Sequence, residues 1–432
     1  MDAAIIAILT LMTYLIMGGA LPFCFGAALL VMRFFADISV QGLLMWGISQ
    51  MASPVMLTVP LFLFAGNLMG KSGIAENLLD FVDLWVGRIR GGLGVVAVVT
   101  CAVIGSITGA SMTGVATIGP IIIPHMVKQG YPRGYATALV STSSILGQLI
   151  PPSLLMIIYG WITETSILVC FLSTLLPGLI ITVTFSIINL ILSRRFNLAL
   201  IPKQTWPEKK MAIRAKTTRA IPALGMPVII LGGIYGGILT TTEAASLAVL
   251  YTIPVGFLIY KGLTRKKYSD VAFESATSVG TIMIMIMMSL IVGQCFTMLE
   301  LPQAVARAML AISNDRKILL LMVNSLLVFL GMLVSDAAGM ILVVPLMLPL
   351  VQALGVSTVQ FGAIVGINLA MGCVTPPYAS VLYLGMRIGK SGFTETVIPV
   401  LILLVFGYFP VLMLTTFCPA VSMFFPKLLG LM

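Results

Sequence analysis

Apolar residues gather along this chain in blocks of about twenty, the length that crosses a bilayer as a helix. Blocks at 3–18, 20–36, 54–70, 134–163, 166–193, 223–240, 243–260, 272–298, 358–388 and 396–418 predict spanning helices, with an amphipathic approach at 40–52. The segment 75–90 carries too many charges for a lipid-facing span and predicts a short or interfacial helix. Two stretches, 92–127 and 318–353, are too long for one crossing and are interrupted by small polar residues, "GSITGAS" in the first and "GMLVSDAAG" in the second.

Charge sets the topology. Arg88 and Arg90 precede the first interrupted stretch, and Lys128 and Arg133 follow it, so both its ends fall on the basic, cytoplasmic side. That predicts a re-entrant hairpin. Two crossings then return the chain to a basic loop at 194–222, and two more return it to Lys261–Lys267. The span 272–298 exits, so the second hairpin enters from the opposite face, with Arg307, Arg316 and Lys317 outside against the rule. Arg387 and Lys390 fall inside again.

Paired prolines stand in two otherwise apolar spans, "GQLIPPS" and "GCVTPPY". Proline removes a backbone donor and clashes with the preceding turn, so each pair breaks its helix. The two halves align without a gap at an offset of 225 residues, with 10 identities over positions 114–160. Gly114, Pro120, Pro124, Gly130, Gly147, Pro151, Pro152 and Gly160 meet Gly339, Pro345, Pro349, Gly355, Gly372, Pro376, Pro377 and Gly385. Glycine and proline fix backbone shape, whereas chance similarity between apolar segments would match Leu and Val. Five crossings separate the hairpins, so the copies are inverted. The fold class expected is an all-α polytopic membrane protein with an inverted structural repeat, two re-entrant helical hairpins and two broken transmembrane helices. Inverted repeats with paired helix breaks mark secondary transporters, whose ligands bind near the midplane.

Composition agrees. The chain has 432 residues, 59% hydrophobic and 9% charged, with mean hydropathy +1.12; soluble domains carry roughly 25% charged residues. The net charge of +10 sits in loops between spans, which points to membrane sidedness and away from nucleic acid. The six cysteines are scattered singly and read as small apolar residues. One histidine, His125, offers no metal-ligand partner. The first apolar block lacks a basic leader and reads as a first span, not a cleaved signal. No phosphate-cradling GxxxxGK[ST] loop is present, and no nucleophile–base pair is legible, so no enzyme activity is expected.

Each half offers a hairpin tip and a helix break. In the first, the hydroxyls of Ser106, Thr108, Ser111, Ser143 and Ser144, with carbonyls near Gly109 and Gly147, form an uncharged oxygen cage fit for a hard cation. In the second, the polar groups are Ser335, Asp336, Asn368 and Thr375. Small residues of this kind also serve close helix packing. Asp336 stands apart, because acids inside membrane segments are rare and functional by default. Glu243, in "GGILTTTEAASLAVLY", follows a capping Thr and reads as an acid in a helix's first turn.

At these residues the sequence resembles the large membrane subunit of tripartite ATP-independent periplasmic (TRAP) transporters. The matching stretches include "VPLFLFAGNLMGKSGI", "GGLGVVAVVTCAVIGSITGAS", "VATIGPIIIPHMVKQGYPRGYA", "LGQLIPPSLLMIIYG", "GGIYGGILTTTEAASLAVLY" and "INLAMGCVTPP", in order over nearly the whole chain. The family departs from this chain in detail. It commonly has "SGSS" where "TGAS" stands, a Gly-rich stretch in place of Ser141–Ser144, its acid at the position of Ser335, and "VGLN" in place of "YASV".

The resemblance implies sodium-driven uptake of an organic acid, such as a dicarboxylate or sialic acid, by an elevator motion in a bacterial inner membrane. It implies two partners, a small four-helix membrane subunit and a periplasmic substrate-binding protein. Neither is expected to be fused here, since both ends of the chain lie in apolar spans. The family's two sodium sites fall on Ser106–Ser111 with Ser143–Gly147, and on Gly331–Ala337 with Asn368, Gly372 and Thr375. No cofactor beyond sodium is implied. The anionic substrate would lie between the tips, against Ser111, Thr113, Ser153, Asp336 and the pairs Pro151, Pro152, Pro376 and Pro377. The division expected is scaffold 1–91, first transport unit 92–163, scaffold 164–298, second transport unit 299–392 and a C-terminal scaffold helix 393–432. A proton-coupled anion transporter or a channel of the same architecture is the alternative.

Overall fold

The structure, a computed structural model, describes residues 2–36, 38–86, 89–199 and 206–432; Arg88 and residues 200–205 of the basic loop lie outside the described residues. The described residues are overwhelmingly helical, without a strand. Six helices among them are long and apolar enough to span a membrane, including Ile167–Ser193, Arg265–Met298 and Phe393–Phe417. Large apolar side chains such as Phe34, Phe273 and Ile238 stand more than 70% exposed, on surfaces that only lipid or another apolar partner would cover.

The repeat is visible in the element boundaries. The first hairpin consists of Gly92–Thr108 and Ser111–Lys128, the second of Arg316–Gly331 and Asp336–Ala353. Ser111 and Asp336 differ by the 225-residue offset, as do Lys128 and Ala353. The broken helices follow: Arg133–Ser144, a 3₁₀ turn at Ile145–Gln148 and Leu154–Ile162 in the first half, Thr358–Gly372 and Ser380–Gly389 in the second. Both Pro-Pro bonds, Pro151-Pro152 and Pro376-Pro377, are cis.

The halves exchange partners reciprocally. Ser111–Lys128 packs on Ser380–Gly389, and Asp336–Ala353 on Leu154–Ile162. This exchange fixes the inversion. Arg133 Nη1 at the base of the first hairpin donates to Gly389 O (3.3 Å), at the far end of the second broken helix. Tyr159 Oη, at the far end of the first broken helix, donates to Thr358 O (2.5 Å), at the base of the second hairpin. Each hairpin base therefore lies at the face where the other half's broken helix ends. A cysteine introduced at Arg195 should react with a membrane-impermeant maleimide only after permeabilisation, and one at Asn314 in intact cells; labelling of both from one side would contradict the inversion.

One sequence expectation changes, two helices are added and one reading is borne out. The stretch 206–222, expected as loop, lies within one helix, Trp206–Tyr235. Its cations mark a loop by charge pattern alone, but Lys, Arg, Ala and Glu are good helix formers, and Lys216 pairs with Asp80 (3.1 Å) and Asp83 (3.4 Å) on Ile74–Val86. That ion pair also accounts for the charge of the 75–90 segment. Two further helices, Leu301–Ile312 and Pro419–Leu428, escaped the pattern because they are shorter than a span. Glu243 follows a capping Thr in a helix's first turn, as expected: its carboxylate accepts from Thr240 N (2.8 Å), and Thr240 Oγ1 accepts from Glu243 N (3.3 Å).

Candidate functional site

In each half the hairpin tip and the helix break touch through glycine. A Cβ at Gly147 would lie 2.5 Å from Gly105 Cα, and one at Gly372 would lie 2.6 Å from Gly331 Cα. Only hydrogen fits there. One backbone hydrogen bond fastens each break to its tip: Leu154 N donates to Gly109 O (3.3 Å), and Tyr378 N to Met332 O (3.0 Å).

Six helices among the described residues begin with a side-chain cap: Ser39, Ser153, Thr240, Thr264, Asp315 and Ser357. The second arms of the two hairpins do not. Ala110 precedes Ser111 and has no side-chain oxygen to offer. Ser335 precedes Asp336, but its hydroxyl turns to Met285 Sδ (3.1 Å). The first amides of these arms thus have no capping side chain before them, and helix N-termini carry positive potential. At the second arm the Asp336 carboxylate itself takes one amide, accepting from Ala337 N (2.8 Å).

These two N-termini converge on Gln148, in the 3₁₀ turn before the first break. Gln148 Nε2 donates to Ser111 Oγ (3.0 Å) and to Asp336 Oδ2. Gln148 is 2% exposed and its Oε1 has no partner. Ser153 Oγ donates to Gln148 O (2.5 Å) and accepts from Met156 N (3.3 Å), so it caps the post-break helix and pins Gln148. Asp336 is half-buried, and among the described residues no Lys or Arg pairs with it.

The expected cation ligands divide. Ser106, Thr108, Ser144 and Thr375 give their hydroxyl protons to carbonyls of their own segment, at Val103 (2.7 Å), Gly105 (3.4 Å), Ser141 (2.8 Å) and Met371 (2.7 Å). Their second lone pairs stay available. Ser143 Oγ and Asn368 Oδ1, equivalent under the repeat, are buried oxygens without a partner. An unpaired buried polar atom costs about 1–3 kcal/mol, which a bound cation would offset. Asn368 Nδ2 donates to Asn324 Oδ1 (2.9 Å), which aims the amide. Thr113 is half-buried in the first turn of its helix. No group of three or more His, Cys, Asp and Glu residues forms a transition-metal site among the described residues.

Gln148 is the residue that reading each half separately overlooks. The available signal was the broken symmetry of the repeat: Cys373 stands where Gln148 would recur, and Ser111 where Asp336 would.

Comparison with known proteins bears on the family and the fold. The chain is 33% identical over 387 residues to the isethionate TRAP transporter permease protein DctMQ of Oleidesulfovibrio alaskensis, covering 86% of this chain and 58% of that one. It is 32% identical over 410 residues to the C4-dicarboxylate TRAP transporter large permease protein DctM of Pseudomonas aeruginosa, covering 94% and 93%. Its fold is similar to that of the YdaH transporter of Alcanivorax borkumensis, with a TM-score of 0.54 at 15% identity over 91% of this chain and 90% of that one. A profile of the tripartite ATP-independent periplasmic transporter DctM component matches residues 5–421. The chain is thus a multi-pass membrane protein that belongs to the DctM family of tripartite ATP-independent periplasmic transporters.

Proposed function

We propose that this chain is the large permease subunit of a sodium-coupled uptake system for a small organic anion in a bacterial inner membrane. The observation that carries the reading is the meeting of two helix N-termini without side-chain caps, those of Ser111–Lys128 and Asp336–Ala353, at Gln148. Such ends bind anions through backbone amides, and Ser111, Thr113 and Ser153 supply hydroxyls beside them. The paired prolines open the breaks that frame the site. Carboxylates and sulfonates both fit this chemistry, in keeping with relatives named for a C4-dicarboxylate and for isethionate.

Sodium would bind on either side of the anion. Ser143 with the Ser106–Ser111 tip, including Thr108, Gly109, Ser144 and Gly147, forms one site. Asn368 with Gly331, Ser335, Ala337, Gly372 and Thr375 forms the other. Transport by an elevator motion would carry both hairpins and both broken helices together. The helix Ile167–Ser193 and the Phe393–Leu403 part of the span Phe393–Phe417 pack on Thr358–Gly372 and Arg133–Ser144 respectively, so in this reading they travel with the hairpins and leave the scaffold expected at 164–298 and 393–432. The partners proposed are a small four-helix membrane subunit and a periplasmic binding protein that delivers the anion. No catalytic step is proposed for the chain.

The test is reconstitution in proteoliposomes with those two subunits and a panel of dicarboxylates, sialic acid and hydroxysulfonates. Uptake of one of them should require an inward sodium gradient. A second reading, proton coupling through Asp336, is favoured by one feature, a half-buried carboxylate that no Lys or Arg neutralises among the described residues. Uptake driven equally well by a proton gradient without sodium would replace the first reading with the second.

A further inference from the structure

Ser143 and Asn368, the buried oxygens that the repeat makes equivalent, differ in one chemical respect. A hydroxyl offers its lone pairs in whatever direction its proton leaves free. A carboxamide has two opposite ends, an oxygen that attracts a cation and an NH₂ that repels it, and a half-turn of the side chain exchanges them. A cation site built on Asn368 therefore needs a neighbour that fixes which end faces the ion.

Such a neighbour stands in one half only. Asn368 Nδ2 donates to Ile364 O (2.8 Å) and to Asn324 Oδ1 (2.9 Å). A backbone carbonyl only accepts, so the Ile364 contact marks the nitrogen end, and Asn324 takes its second proton. Asn324 is itself held, because its Nδ2 donates to Leu320 O (2.8 Å) and to Thr416 Oγ1 (3.2 Å). Thr416 Oγ1 in turn donates to Leu412 O (2.8 Å). All three side chains are buried, and of the two amides' polar atoms only Asn368 Oδ1 lacks a partner. Gln360, nearer the start of the same broken helix, ties the last span again by donating to Thr415 O (3.1 Å) and Thr416 O (3.0 Å). The relay thus joins Arg316–Gly331, Thr358–Gly372 and Phe409–Phe417.

The other half supplies the comparison. At the 225-residue offset Asn324 and Thr416 meet Val99 and Ile191, both apolar. Ser143 has no relay behind it and, as a hydroxyl, needs none. Packing does not call for an amide at 324 either. Asn324 borders a cavity of about 400 Å³ whose other walls include Val328, Met332, Met371, Phe409 and Leu412. An aliphatic side chain would fit there, whereas burying an amide has a desolvation cost. The polar relay occurs in the half whose ligand has a wrong end.

We infer that Asn324, anchored by Thr416, is a positioning residue for cation binding at the second helix break: it holds Asn368 with its oxygen toward the ion and its NH₂ away. The inference rests on the sodium reading above and adds the residue that sets the affinity of the second site. Without an acceptor at 324 the Asn368 amide is free to turn, and the turned amide presents protons to the cation.

The test is a sodium titration of the thermal unfolding midpoint, with potassium holding the ionic strength constant, in a Ser143→Ala background so that the second site carries the response. Asn324→Leu should raise the sodium concentration for half the response at least fivefold. Asn324→Asp, which keeps an acceptor for Asn368, should stay within twofold of the parent. Thr416→Val, which leaves Asn324 one anchor, should raise the half-point at least twofold, and it decides the matter if Asn324→Leu does not fold. Asn368→Asp has oxygen at both ends, so in that background Asn324→Leu should no longer move the half-point. A purely structural role at 324 would lower the midpoint in both salts alike and leave the half-point in place. An unmoved half-point in Asn324→Leu or in Thr416→Val, or a fivefold shift that persists with Asn368→Asp, would overturn the relay and leave the sodium reading standing. No sodium response in the unsubstituted chain would overturn that reading, and the relay with it.

Discussion

Gly147→Ala should lower the yield of monodisperse protein and the thermal midpoint sharply, and Gly372→Ala should do the same from the other half. The added Cβ would sit 2.5 Å from Gly105 Cα in the first case and 2.6 Å from Gly331 Cα in the second. Both obstacles are backbone, so no side chain can rotate away. Overpacking of this kind costs about 1–3 kcal/mol when the surroundings relax, and here relief means separating hairpin from break. Gly280→Ala, with nothing within 4 Å of the new methyl, is the control. Wild-type midpoints for Gly147→Ala and Gly372→Ala would mean that the tips do not rest on the breaks.

Gln148→Leu should stop transport and destabilise the protein, because it strands two groups at once. Ser111 Oγ loses its donor, and the Asp336 carboxylate loses the one side-chain donor that reaches it from the other half. Leaving a buried neutral partner unsatisfied costs about 1–3 kcal/mol, and a charged one costs more. Asp336→Ala in the Gln148→Leu background should therefore recover part of the stability, without restoring uptake. The cycle measures the coupling between the halves directly, and residues sharing a network typically couple by about 0.5–3 kcal/mol. Strict additivity of the two changes would show that Gln148 and Asp336 act independently and would remove the bridge from the site.

Most of the architecture could be read from the chain because it is written in residues with local meaning. Pro151–Pro152 and Pro376–Pro377 break helices wherever they stand, and the 225-residue offset aligns the two pairs with each other and Gly147 with Gly372. The paired starts at Ser111 and Asp336 then follow from the same offset. What escaped depends on distance along the chain. Gln148 and Asp336 are 188 residues apart, and no local pattern joins them. The missing cap at Ser335 was equally hidden, since serine is a preferred N-cap and only the neighbouring Met285 sulfur draws it away. The cations of 206–222 misled for the opposite reason: a basic run reads as loop until Asp80 and Asp83 are brought opposite Lys216.

The central claim, that sodium binds at the two helix breaks, is tested most directly by the thermal unfolding midpoint in sodium and in potassium at equal ionic strength. No knowledge of the transported anion is needed. A ligand at about 100 times its dissociation constant stabilises by ~2.7 kcal/mol per site. Sodium should raise the midpoint where potassium does not, and Ser143→Ala and Asn368→Ala should each remove part of that rise. Identical midpoints in the two salts, or a sodium response untouched by both substitutions, would contradict the account.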